Sequence, residues 1–317
     1  MIVAVIAAVA AGCMFAVGSV LQQSAAREAP REDALSWRLL VDLAHRPRWL
    51  LGIACDVVSF GFQALALSFG PLALVQPLSV TGLLFAVPLA VRWRGQRLHR
   101  REWLGTVAVA GGLAMFLAAA APSEGLPQTT AWRWLLILLA VGGLMALGVA
   151  AGRLAGGTLR PSLYALSAGA AFGLLAALTK ASTWLLGQGA STFFTAWEPY
   201  AMAVVALTGA IVQQSAFQAG PLPASLPVMD AVEPTIAVCI GVFAFDEQLA
   251  TSLSALTLQA VGILALLVGI VVLDRSPVIV ALQQRDGAGR VAPVRRVRSS
   301  SASSGNLDAT VSSGNSS

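Results

Sequence analysis

The chain has 317 residues, of which 57% are hydrophobic and only 11% charged, with a formal net charge of +5 and a mean hydropathy of +0.77. So little charge cannot cover the surface of a water-soluble protein of this length, which excludes an ordinary soluble domain. The charges are also clustered, leaving apolar runs of about 20 residues, the length that crosses a bilayer core. The fold class expected is an all-α polytopic membrane protein.

In chain order, nine transmembrane spans are expected, at about 2–22, 49–69, 72–92, 103–121, 132–152, 161–186, 197–218, 222–245 and 254–273. Residues 23–48 carry too many charges to span, but SWRLLVDLAH from Ser36 has the pattern of an amphipathic helix on the surface. After Asp274 the chain is rich in Ser, Gly and Arg and cannot bury a core, so it reads as a disordered tail. Cys13, Cys55 and Cys239 lie inside apolar runs and read as small buried residues rather than a disulfide framework.

Charge sets the orientation. Loops after odd-numbered spans hold Arg27, Arg31, Arg38, Arg46 and Arg48, then Arg94, Arg97, Arg100 and Arg101, then Arg153 and Arg160. The tail adds further arginines on the same side, while the opposite side holds little beyond Arg133. The positive-inside rule then puts the N-terminus outside and the tail in the cytoplasm, as expected in a plasma membrane. Trp49, Trp93, Trp103, Trp132, Trp134, Trp184 and Trp197 all fall at or near span ends, where amphipathic rings favour the membrane interface.

One turn is written twice. Gly70, Pro71, Leu72 and Pro77 recur as Gly220, Pro221, Leu222 and Pro227, at a constant offset of 150 residues. With one residue inserted, Leu98 pairs with Leu249 and Gly111 with Gly262; upstream, Ala11, Gly12 and Phe15 can be laid over Ala168, Gly169 and Phe172. The first copy joins spans two and three and the second joins spans seven and eight, so the copies are inverted across the membrane. Inverted repeats are the construction of secondary transporters, which hold substrate between the halves. The expected organisation is a first repeat at 1–121, a connecting helix at 122–160, an inverted repeat at 161–273 and a tail at 274–317. Gly70, Pro71 and Pro77, with Gly220, Pro221, Pro227 and Pro234, are the expected hinge positions.

At these residues the chain resembles the drug/metabolite transporter superfamily. The resemblance rests on the GPL turn, the proline in the following helix and a short polar turn before each half's last helix, GQRL at Gly95 and DEQL at Asp246. Within the superfamily it looks most like NIPA-type magnesium transporters, which it matches with an acidic residue early in the second helix, Asp56, and a proline after the next turn, Pro77. The resemblance implies nine helices, alternating access and a small-solute or cation substrate such as Mg²⁺.

Charges inside the membrane carry the chemistry. Asp or Lys at mid-helix costs about 2.5–3.5 kcal/mol on insertion scales, so such residues are functional or paired. The candidates are Asp56, Lys180, Asp230 and Glu233. At 1.5 Å per residue, Asp56, Asp230 and Glu233 sit roughly 10, 12 and 16 Å from the cytoplasmic ends of their spans, in one slab of the membrane. Asp230 and Glu233 are three apart and face nearly the same way. Pro234 has no N–H, which frees the Asp230 carbonyl; two carboxylates beside it are hard oxygen ligands for Mg²⁺, Na⁺ or a proton. The competing reading is an acidic pair neutralised by protonation or by Arg or Lys.

Lys180, the one lysine, either snorkels to the headgroups or is a fixed cation that binds an anionic substrate group. Gln213 and Gln214 either hydrogen-bond substrate or join helices. No G-x-S-x-G, H-E-x-x-H or Walker sequence appears, so hydrolase and ATPase mechanisms lack their parts and no cofactor is implied. The tail's arginines suit anionic lipid rather than nucleic acid. Three readings stay open: a divalent-cation transporter, a proton-coupled exporter of a small organic metabolite or drug, and a non-transporting membrane scaffold.

Overall fold

The computed structural model describes residues 2–69, 82–93, 95, 97–120, 125–157 and 159–276. Gly70, Pro71, Pro77 and the tail beyond residue 276 lie outside the described residues. Among these residues eleven α-helices follow one another: α1 (Ile2–Glu28), α2 (Trp37–Ala44), α3 (Pro47–Phe69), α4 (Gly82–Trp93), α5 (Arg100–Ala120), α6 (Ala131–Leu154), α7 (Leu159–Gly187), α8 (Ala190–Thr195), α9 (Glu198–Ala219), α10 (Leu222–Phe245) and α11 (Leu253–Asp274). Among the described residues there is no strand.

Seven of these helices, α1, α5, α6, α7, α9, α10 and α11, are long and apolar enough to cross a membrane. The chain is therefore an integral membrane protein. The other two expected spans overlap α3, with 23 residues, and α4, with 12. The predicted surface helix is α2: Ser36 caps it by accepting from the Arg38 N–H at 3.2 Å, and its apolar face buries Leu39 and Leu43 completely. α8 was not expected from the sequence.

The bundle packs through small residues. α1 lies along α3 and α4 and reaches α9, α7 packs on α6, α9 and α10, and α5 pairs with α11. Alanine dominates the buried set, with Ala4, Ala8, Ala26, Ala165, Ala168 and Ala181 at 3% exposure or less, because in lipid close backbone approach replaces the hydrophobic effect between helices. The approach is tightest between α5 and α11. A Cβ on Gly262 would stand 2.7 Å from the Gly112 carbonyl oxygen, and one on Gly269 2.7 Å from that of Gly105. Large apolar side chains such as Leu139, Leu147 and Leu264 point outwards instead, as a lipid-facing surface requires.

Candidate functional site

α10 carries Asp230 and Glu233 on one face, in an unbroken helix that contains Pro227 and Pro234. α7 supports that turn from behind. A Cβ on Gly169 would meet the Met229 carbonyl at 2.8 Å, and one on Gly173 would meet the Glu233 carbonyl at 2.7 Å, so only glycine lets the two backbones touch there. In front of the carboxylates lies a cavity of about 290 Å³, lined by Asp230, Glu233 and Pro234 of α10 together with residues of α1, α3 and α5. Its other polar members are Ser59 and Gln63 of α3, and its apolar walls include Phe15, Leu113 and Leu117. The Ser59 hydroxyl donates to the Ala11 carbonyl at 2.7 Å, which leaves its lone pairs available as acceptors.

Both carboxylates are half-buried, and among the described residues neither has an ion-pair or hydrogen-bond partner. No group of three or more His, Cys, Asp or Glu among the described residues could enclose a metal ion. What the cavity offers is two acids, a hydroxyl and an amide.

The remaining candidates lie elsewhere. Asp56 faces α1, where its Oδ2 accepts from Nε2 of Gln22, and Gln22 in turn accepts from Nε2 of Gln214 at 2.9 Å. Gln213 is half-buried beside that chain on α9. Lys180 is ion-paired with Glu247 and stands 4.6 Å from the centroid of the Phe245 ring. Arg133 reinforces the same end of the molecule, pairing with Asp246 at 2.9 Å and donating to the Ala244 carbonyl at 3.2 Å. Trp134, 3% exposed, is inside the bundle rather than at a lipid interface, edge-on to Trp197 at 5.5 Å and to Phe245 at 6.0 Å. The interface expectation for this tryptophan gives way to aromatic packing.

At the opposite end α9 meets α10 through Gly220 and Pro221, the expected second copy of the turn. Gly220 is extended, packs against Pro161 where a Cβ would meet the ring at 2.5 Å, and accepts from Nε2 of Gln23 at 2.7 Å. Gln218 donates to the carbonyls of Ala29 and Pro30 at 3.1 and 2.8 Å.

Gln22, Gln63, Ser59 and Glu247 were not singled out from the sequence. The signal available was polarity within or beside apolar runs, strongest for the adjacent Gln22 and Gln23, which mirror Gln213 and Gln214.

These features define a helical integral membrane protein with a carboxylate-lined cavity between its helices. The chain is 32% identical to an uncharacterized protein of Corynebacterium glutamicum over 293 residues, covering 90% of this chain and 99% of the relative, and it belongs to the same family. It is also similar to the probable magnesium transporter NIPA9 of Arabidopsis thaliana, at 25% identity over 272 residues, 82% of this chain and 78% of that protein. No family model matches the chain, and no solved structure matches it significantly.

Proposed function

We propose that this protein is a secondary transporter of the drug/metabolite type, whose substrate is a divalent cation, Mg²⁺, bound by Asp230 and Glu233. The observation that carries the reading is the pair of carboxylates facing a cavity with no cation among the described residues paired to them, while Lys180 is engaged by Glu247. Mg²⁺ dehydrates reluctantly and is commonly held by one or two carboxylates plus several waters. Six waters at about 30 Å³ each occupy roughly 180 Å³, less than the 290 Å³ of the cavity. A hydrated ion therefore fits, with Ser59 and Gln63 as outer acceptors. The likeness to a probable magnesium transporter agrees with this. The metabolite-export alternative needs Lys180 in the substrate cavity, and its pairing with Glu247 speaks against it.

Alternating access between inverted halves is supported by equivalent contacts. Gly12 of α1 packs on Gly82 of α4, where a Cβ would meet the Gly12 backbone at 3.3 Å; Gly169 of α7 packs on Val232 of α10, where it would meet Cβ at 3.0 Å. Gly12 and Gly169 are one pair of the sequence repeat, and Gly82 and Val232 share the offset of 150 residues. In the last helices the support comes at a register other than Gly111 with Gly262. Gly105 meets Gly269 and Gly112 meets Gly262, a reciprocal pattern that equates Gly105 with Gly262 and Gly112 with Gly269. The orientation remains the one drawn from the arginines, with the Gly220 turn in the cytoplasm and the Lys180–Glu247 pair outside, in the plasma membrane.

Uptake into proteoliposomes tests the reading. Wild type should take up Mg²⁺ down a gradient, and Asp230→Asn/Glu233→Gln should lose at least about tenfold in rate, or roughly 1.4 kcal/mol, at equal reconstitution. Full activity in the double variant would refute the assignment.

A further inference from the structure

Away from the cavity, one polar chain joins three helices. Nε2 of Gln214 on α9 donates to Oε1 of Gln22 on α1, and Nε2 of Gln22 donates to Oδ2 of Asp56 on α3. Both glutamines are buried, at 2% and 3% exposure. Each end of the chain stops at an acceptor: Oδ1 of Asp56 and Oε1 of Gln214 are buried and have no hydrogen-bond partner among the described residues. Oδ1 is packed against Gly18, where a Cβ would lie 2.3 Å from it and 2.9 Å from the Gly52 carbonyl oxygen, so a second acceptor crowds the same place.

Among the described residues an ionised carboxylate here has no countercharge. Glu28 of α1, Asp42 of α2, Arg46 just before α3 and Arg48 at its start pair with one another, and Arg27 of α1 has a partner of its own. Among the described residues no ion pair reaches Asp56. Withdrawing an unpaired carboxylate from water costs several kcal/mol, and a proton removes that cost.

We propose that Asp56 is a proton-binding site distinct from Asp230 and Glu233, and that the Gln22–Gln214 chain transmits its protonation to α9. Without the proton Asp56 only accepts, so Gln22 must present Nε2 to it and Oε1 to Gln214, the arrangement observed. With the proton, the Asp56 O–H becomes a donor. Half-turns of both the Gln22 and the Gln214 amides, each exchanging groups of nearly the same shape, then present Oε1 of Gln22 to Asp56 and its Nε2 to Oε1 of Gln214. Two hydrogen bonds exist in either state, running in opposite directions. The open end at Gln214 changes from a buried acceptor to a buried donor. α1 and α3 belong to the first half of the chain and α9 to the second, so one proton alters what one half offers the other without changing any volume.

The test needs no transport substrate and therefore stands or falls apart from the magnesium reading. Infrared difference spectra of the reconstituted full chain are recorded during a pH titration in the Asp230→Asn/Glu233→Gln background, where the cavity acids are silent. The expected result is a titrating carboxylic-acid carbonyl band that disappears when Asp56→Asn is added. Spectra that superimpose with and without Asp56→Asn would overturn the site. Gln22→Leu in the same background supplies the second reading. It removes the donor to the ionised form and should move the titration midpoint upwards by about one pH unit, a tenfold change in proton affinity; an unmoved midpoint would overturn the relay.

Discussion

Lys180 and Glu247 show how much a single side chain's surroundings decide. The Lys180 side chain is 33% exposed and that of Glu247 15%, so the pair lies between an exposed ion pair, worth about 0–1 kcal/mol, and a buried one, whose breakage costs about 3–5 kcal/mol. Lys180→Met should therefore destabilise the protein by about 1–3 kcal/mol, because it leaves Glu247 without its cation in a partly dry site. Adding Glu247→Gln should recover most of that loss, and thermal unfolding of the single and double variants measures both steps. Mg²⁺ uptake per folded molecule should stay within about tenfold of wild type, since Lys180 is not among the residues that line the cavity of Asp230 and Glu233. Collapse of uptake in a stable double variant would instead make Lys180 a substrate ligand. At this scale the acids of α10 were legible in the sequence, because a carboxylate inside an apolar run is costly and conspicuous. The partner of Lys180 was not: Glu247 lies 67 residues along the chain, in a polar turn that looks like ordinary loop.

Between helices, glycines decide how closely the backbones approach, and their effect depends on direction more than on number. Gly111 and Gly112 are neighbours on α5, yet a Cβ on Gly111 meets nothing within 4 Å, while one on Gly112 lies 2.6 Å from the Gly262 carbonyl oxygen. Gly112→Ala should push α5 and α11 apart and cost about 1–3 kcal/mol, the usual range for overpacking. Gly111→Ala should be neutral or slightly stabilising, since alanine favours helix. Unfolding the two variants in detergent checks the contrast, and equal behaviour would contradict the packing described. The sequence displayed both glycines without distinguishing them. Helix periodicity gives spacing along one element, but which face meets a neighbour depends on a helix more than a hundred residues away. For the same reason the spans were readable from their hydropathy, whereas the register that pairs Gly112 with Gly262 emerged only from the packing.

For the molecule as a whole, the two ends carry different contacts, and the orientation proposed from the arginines predicts which faces each compartment. One end has charged clamps, Lys180 with Glu247 and Arg133 with Asp246. The other has amides on backbone carbonyls, Gln23 on Gly220 and Gln218 on Ala29 and Pro30. In the orientation proposed from the arginine asymmetry, the charged clamps face outside and the amide end faces the cytoplasm. Gln188, between α7 and α8, and Gly156, between α6 and α7, are both exposed and lie in connections on opposite sides of that assignment. Gly156 has no positive φ and a Cβ there meets nothing within 4 Å, so a cysteine is tolerated. In a background with Cys13, Cys55 and Cys239 replaced, Gln188→Cys should react with an impermeant maleimide on intact cells. Gly156→Cys should react only after the membrane is opened. α7 alone separates the two positions, so labelling of both from one side would mean that α7 does not cross the membrane. Inverted halves would then be impossible, because the second copy would no longer have an odd number of crossings between it and the first.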